Sequence, residues 1–206
     1  MLRHSPLVFF RLFFEVMEEG FTLWANPSSP HAEGRKAKQA LEDARARVKA
    51  ALGWDGEVIF TSGASESALL AFDSAQVLDE VVSAVEHDAI YSPVVNRNSQ
   101  SIPMRSDGMI DAAHLDRLSI EPSETARGQP ENRCLVAIQH VNSETGTRQS
   151  IGMIAELVHG NNGLLLVDCA QSAGTIEIPR IADMVIVSAH KFGGPIGVGA
   201  LLVRDY

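Results

Sequence analysis

From residue 57 to the end of the chain, short apolar runs alternate with stretches of helical pattern, and that alternation constrains the fold more than any other feature. Seven runs read as strands: "EVIFT" (57–61), "EVVSAV" (80–85), "SIPM" (101–104), "CLVAIQ" (134–139), "LLLVD" (164–168), "MVIVS" (184–188) and "GALLVR" (199–204). Most gaps between them hold one helix or turn, as parallel crossovers require. The expectation is an α/β fold: a mostly parallel seven-stranded sheet with helices on both faces. The last gap, from Ser188 to Gly199, is short and glycine-rich, so the final strand should run antiparallel to its neighbours.

Upstream, "HAEGRKAKQALEDARARVKAALG" repeats Ala37, Ala40, Leu41, Ala44, Val48 and Leu52 at three-and-four spacing, which predicts a long amphipathic helix closed by Gly53. The opening "MLRHSPLVFFRLFFEVMEEG" carries Phe9, Phe10, Phe13 and Phe14, yet Arg11 breaks the apolar run, Glu15, Glu18 and Glu19 follow, and no small-residue cleavage site appears. It reads as neither a secretory signal nor a membrane span. Its later part predicts an amphipathic helix and its first dozen residues an ill-ordered start. "SIEPSETARGQPENR" (119–133) is polar, contains two prolines and predicts an exposed loop.

Lys and Arg number 17 against 26 Asp and Glu, a net charge of -9, and no basic cluster is interleaved with aromatics. That balance argues against nucleic acid or an anionic membrane as partner. Cys134 and Cys169 sit in apolar contexts, "NRCLVAI" and "LLVDCAQ", which suits buried reduced thiols in the cytoplasm better than a disulfide framework. Neither has a second Cys or His at metal-ligand spacing, so no metal site is expected. With 206 residues, 45% of them hydrophobic, the chain can bury one sizeable core.

In open parallel sheets ligands bind beyond the carboxyl ends of the strands, so the residues after each run matter most. After "EVIFT" come Ser62, Gly63, Ala64, Ser65, Glu66 and Ser67, a small-residue turn into a helix that either holds a phosphate on exposed amides or is an ordinary connection. "LLLVD" ends in Asp168, with Gln171 three residues on; the acid is either a helix cap or a functional group. After "EVVSAV" stand Glu86 and His87, and after "CLVAIQ" stand Asn142, Ser143 and Glu144. "MVIVS" leads into Ala189, His190 and Lys191, and an ammonium at the end of a buried strand is expensive without a partner. A phosphate turn, a strand-end acid and a strand-end lysine are together what pyridoxal 5'-phosphate needs. Its aldehyde forms a Schiff base with a lysine, and an Asp keeps its ring nitrogen protonated, so the ring accepts electrons from the substrate Cα.

The blocks "NPSSPHAEGRKAKQALEDAR", "VIFTSGASES", "VEHDAI", "HVNSETGTRQ", "VDCAQSAG" and "SAHKFGGPIGVGALLVR" span roughly residues 26–204. In that order they resemble the class V aminotransferase family of fold-type-I pyridoxal-phosphate enzymes, and within it the cysteine desulfurases. The N-terminal segment (1–25) reads from its residues as partly helical, and the resemblance implies a pyridoxal-phosphate-binding large domain (26–206). It implies that Lys191 carries the cofactor and later moves protons at the substrate Cα. Ala64 and Ser65 would hold the phosphate with Ser188, Ala189 and His190. Asp168 would pair with the ring nitrogen and Gln171 with the phenolic oxygen, while His87 would stack on the ring and assist proton transfer. Asn142 and Ser143 would stand by the cofactor and substrate, Ser143 presenting a hydroxyl where many relatives carry a second carboxamide.

The implied activity converts L-cysteine to L-alanine and passes the sulfur to an acceptor, in homodimers whose sites are completed across a two-fold interface. Two departures bear on it. The family's opening Asp-Asn-Ala-Thr-like strand has no counterpart in "MLRHSPLVFFRLFF", and the chain ends at Tyr206 where relatives are about twice as long. The small C-terminal domain, the persulfide-forming cysteine loop and the carboxylate-gripping arginine would lie in that other half. The expectation is weak cofactor binding and negligible desulfuration by this chain alone. A selenocysteine lyase or other class V enzyme, and an inactive fragment, are the alternatives.

Overall fold

The computed structural model describes residues 6–77, 79–94, 97, 99–120 and 134–204 of the chain, which divides into two compact units, Met1–Ala51 and Leu52–Tyr206. In the first unit α1 (Pro6–Thr22) is followed by α2 (Ala32–Leu52). α1 begins earlier than the sequence suggests, with Pro6 at a helix start, where its missing N–H costs nothing; residues 1–5 of the expected ill-ordered start lie outside the described residues.

α2 is rich in Ala, Leu, Lys, Glu and Arg, all good helix formers, with Glu33 in its first turn and Lys49 in its last, as the helix dipole favours. It ends where Gly53 turns left-handed at φ 64°. Gly34 is fixed for a different reason: a Cβ there would overlap the Ser29 carbonyl oxygen of the incoming loop.

The second unit runs β1 (Glu57–Thr61), α3 (Ala64–Ser74), β2 (Asp79–Ser83), α4 (Asp88–Val94), β3 (Gln100–Ile102), α5 (Ala112–Ile120), β4 (Cys134–Gln139), α6 (Ile151–Gly160), β5 (Leu164–Asp168), β6 (Met184–Ser188), a 3-10 turn (Ala189–Phe192) and β7 (Gly199–Val203). The strands form a seven-stranded sheet in the order β1-β7-β6-β5-β4-β2-β3. β7 lies antiparallel between β1 and β6, and the other pairings are parallel.

Three strands differ in extent from the sequence reading. β2 starts one residue early and stops at Ser83, because Ala84 and Val85 already turn toward the next helix. β3 stops at Ile102, before Pro103, which has no N–H to donate to a ladder. β7 stops at Val203. The loop expected over 119–133 is partly replaced: α5 continues to Ile120, and 121–133 lie outside the described residues.

Side chains alternate across a strand, so Val82, Leu135, Ala137, Leu166, Ile186 and Leu201 share one face, where they meet Ala68, Ala71 and Phe72 of α3 and Ile90 and Val94 of α4. Val136, Ile138, Leu165 and Val167 point to the opposite face and are buried, and α6 lies against β5 with Ile151, Ile154, Ala155 and Val158 turned inward. Leu166, fully buried on the central strand, sets the stability scale: Leu166→Ala is expected to cost about 2–5 kcal/mol in chemical denaturation, transfer loss and cavity together. No helix among the described residues is long and apolar enough to cross a membrane.

Candidate functional site

The carboxyl ends of β1, β4, β5 and β6 open onto one cavity of about 360 Å³. Its first wall is the turn after β1. Gly63 caps α3 at φ 152°, a conformation L side chains rarely adopt, and no side chain caps the helix. The amides of Ala64 and Ser65 at the start of α3 therefore have no carbonyl of their own helix to bond, and both residues line the cavity. Beneath them Thr61 Oγ1 and Ser67 Oγ, 2.8 Å apart and buried, tie the strand end to the helix. Gly199 of β7 supports the same turn: a Cβ there would come 2.7 Å from Gly63 Cα and 2.9 Å from the Val187 carbonyl oxygen, so only a glycine lets the two backbones approach. Glu66 also lines the cavity, its Oε2 accepting the Ser62 N–H at 2.6 Å. Hydrogen bonding from the Ser62 side chain, and after it the Ser62 N–H, holds the Glu66 carboxyl below the usual range.

Opposite stands the 3-10 turn after β6. Ser188 is buried, with its Oγ 3.0 Å from His190 Nδ1, and both line the cavity with Lys191. Lys191 itself is exposed, which corrects the reading that the end of a buried strand would bury it. The turn carries it three residues past the strand end and out into the cavity mouth, so its ammonium bears no burial penalty. Gly193, left-handed at φ 94°, ends the turn.

Asp168 closes the far end. It is 8% exposed, and its Oδ1 accepts the Ala170 N–H at 2.8 Å, so it does cap the following turn. Its Oδ2 makes no hydrogen bond among the described residues, and the residue lines the cavity. Burial pushes the Asp168 carboxyl up, opposed by the Ala170 bond and by the charges of His87 and Lys191. Gln171 and Ser143 are exposed and line the cavity, as does His87, whose Nδ1 accepts the Ala89 N–H at 3.1 Å at the start of α4.

Nine of the residues singled out in the sequence thus meet at one cavity: Ala64, Ser65, His87, Ser143, Asp168, Gln171, Ser188, His190 and Lys191. Asn142 and Ala189 do not line it. Asn142 is buried, and its Oδ1 holds its own turn by accepting the N–H groups of Glu144 (2.9 Å) and Thr145 (2.8 Å). The Ala189 carbonyl accepts Gly194 N–H at 2.8 Å. Lining residues the sequence reading passed over include Gln139, Ala170 and Ile196. Gln139 was findable as the last residue of its strand. Ile196, 91% exposed, was not, because an apolar residue in a glycine-rich turn carries no sign of its surroundings.

The cavity offers an aromatic face in His87, anion-binding donors in the α3 amides and the Ser188 and His190 side chains, and an unused carboxylate oxygen in Asp168 Oδ2. Those three acceptor and donor sets match pyridoxal phosphate in chemistry. Among the described residues no group of three or more His, Cys, Asp or Glu is placed to hold a metal ion.

The family profile described as Aminotransferase class-V matches residues 14–206. Among curated proteins the chain is 35% identical to cysteine desulfurase IscS 1 of Archaeoglobus fulgidus, over 88% of this chain and 49% of that protein. It is 34% identical to cysteine desulfurase IscS of Vibrio cholerae, over 88% and 46%. Among solved structures it resembles a NifS-like protein from Rickettsia africae, with a TM-score of 0.81 and 31% identity over 92% of this chain and 54% of that one. It also resembles the structure described as SspA in complex with cysteine, with a TM-score of 0.76 and 31% identity over 89% and 55%. The chain spans about half the length of the curated relatives it matches.

Proposed function

The chain belongs to the class V aminotransferase family, and from that premise we propose that it is the pyridoxal-phosphate-binding part of a cysteine desulfurase, with residues 26–206 as the large domain. One observation carries the reading: a lysine, a buried acid with an unused oxygen and an uncapped helix start converge on one cavity from separate strand ends. A solved structure 31% identical to this chain is described as a complex with cysteine, which supports that amino acid as substrate.

When bound, the cofactor supplies an electron sink for the substrate Cα. The chain's own residues do the rest. The Ala64 and Ser65 amides, with the Ser188 hydroxyl and His190, hold the phosphate. Asp168 would accept a hydrogen bond from the protonated ring nitrogen on Oδ2, keeping that nitrogen protonated, and Gln171 would donate to the phenolic oxygen. His87 would stack on the ring. Lys191, exposed and lining the cavity, would carry the cofactor and would move the proton at the substrate Cα. Ser143 reaches the substrate carboxylate through its hydroxyl, directly or through a water.

What these residues do not supply is a thiolate to accept the sulfur. Both cysteines are buried and outside any disulfide, and burial pushes the Cys169 thiol up to about 12. Two buried, unbridged thiols also suit the reducing cytoplasm.

The test is to load the chain with pyridoxal phosphate, reduce it with borohydride and map the modified peptide. The expected result is modification at Lys191 and, on adding L-cysteine, neither alanine nor sulfide above background. Robust turnover by the chain alone, or modification elsewhere, would overturn the reading.

A further inference from the structure

Glu86, at the turn between β2 and α4, has a buried carboxyl that no step above uses. Its Oε1 accepts hydrogen bonds from Ser83 Oγ at 2.5 Å and from the Gln139 main-chain N–H at 2.9 Å, while Oε2 is sealed from solvent and makes no hydrogen bond. Gln139 returns the contact: its Nε2 donates to the Val85 carbonyl at 2.9 Å. Gln139 in turn lines the cavity and stands directly beside Asp168 in the β4–β5 register. Glu86 thereby ties the turn that bears His87 to the end of the strand next to Asp168.

The charged and titratable groups around Glu86 come from several elements. Asp168 on β5 acts on it with a charge of the same sign. His87 and Asp88 flank it on its own turn, and Glu144 lines the same shallow depression from the 142–145 turn. Lys191 acts on Asp168 from the 3-10 turn. A carboxylate on Glu86 would be a buried charge with one oxygen unpaired and a second carboxylate as neighbour; a protonated acid removes the buried charge and the repulsion, and leaves only a neutral polar atom unpaired.

We propose that Glu86 is a positioning residue that clamps the His87 turn against the end of β4, and that it does so as an uncharged acid, leaving Asp168 to carry the negative charge at the strand ends. Burial pushes the Glu86 pKa up to about 8, reinforced by the Asp168 charge and opposed by the Ser83 and Gln139 bonds. The clamp is thus closed at neutral pH. It loosens when Glu86 ionises and is drawn toward water, taking His87 from the cavity. A carboxyl whose folded pKa stands above its unfolded value of 4.5 contributes stability that is complete below pH 4.5 and lost as pH rises through about 8.

The test has an arm without cofactor and an arm that rests on the pyridoxal-phosphate reading. In the cofactor-free chain with isotope-labelled glutamate, infrared spectra at neutral pH are expected to show a protonated glutamate carbonyl band that disappears as pH passes about 8 and is missing from Glu86→Gln. Thermal melting of the wild type is expected to fall relative to E86Q between about pH 4.5 and about pH 8 and to level off above that. In pyridoxal phosphate titrations, the ratio of wild-type to E86Q affinity is expected to fall about tenfold per pH unit above about 8. A glutamate band that is absent, or an affinity ratio that stays level or rises, overturns the proposal. Should neither protein bind the cofactor at any pH, the cofactor reading fails, and the infrared and melting arms decide the protonation of Glu86 without it. Should E86Q not fold, the pH titration of the wild-type band reads the same proton.

Discussion

Lys191→Ala is expected to abolish covalent retention of pyridoxal phosphate while leaving the fold intact. Lys191 is the one lysine in the sequence of Leu52–Tyr206, so no second amine of that unit can replace it. It is exposed and makes no hydrogen bond among the described residues, and surface substitutions of that kind shift stability by roughly 0.5 kcal/mol or less. The visible absorbance of the loaded wild type should therefore be missing from the variant, and desalting should strip the cofactor. Proton transfer at the substrate Cα, measured as deuterium exchange into an amino acid, is expected to slow by about 10²–10⁴-fold, the usual contribution of a positioned acid–base group. Retention of the cofactor through desalting, with exchange unchanged, would remove Lys191 from the reaction.

Asp168→Asn is expected to move stability and binding in opposite directions. Buried among strand ends, the Asp168 carboxylate loses solvation that the Ala170 amide bond and the nearby His87 and Lys191 side chains restore only in part, which is why its pKa is raised. Asparagine keeps the size and the acceptor for Ala170 N–H and carries no charge. The cofactor-free chain should gain on the order of 1 kcal/mol in denaturant melts at neutral pH. The sign agrees with linkage: a raised folded pKa means that the charged form weakens the fold above the normal carboxylate range, and the asparagine form escapes that loss. Cofactor affinity should drop about 10–100-fold, since a hydrogen bond to a charged partner contributes roughly 1.5–3 kcal/mol. A variant that is less stable and binds as before would make Asp168 only the cap of the turn at Ala170. Residues kept at a cost to the fold are expected where chemistry demands them.

Much of this site is legible in the sequence. Asp168 and Lys191 stand out because strand ends are local features: an apolar run that stops at an acid, or three residues before a lysine, can be read in ten letters. Asn142 is the instructive exception. It stands at the end of an apolar run like the others, but its carboxamide is spent on the backbone of its own turn, and no spacing rule separates a side chain that turns outward from one that folds back. Glu86 is the converse. It was visible beside His87, and nothing in "VEHDAI" says that its carboxyl is sealed under the end of a strand 53 residues away.

The seven strands, the long helix α2 and the small-residue turn at Gly63 can be read from the letters, because alternation, helical periodicity and glycine conformations act over a few residues. Which strand ends are neighbours cannot be read that way and is visible only once the chain is folded. The order β1-β7-β6-β5-β4-β2-β3 sets Gly199 against Gly63 and Gln139 beside Asp168, and pairs the first strand of the sheet with the last. Those pairings are long-range hydrogen-bond ladders, specified by how whole apolar faces bury together. The ionisation of Asp168 and Glu86 follows from the same burial, so the chemistry of the cavity could be named from the chain and its charge state could not.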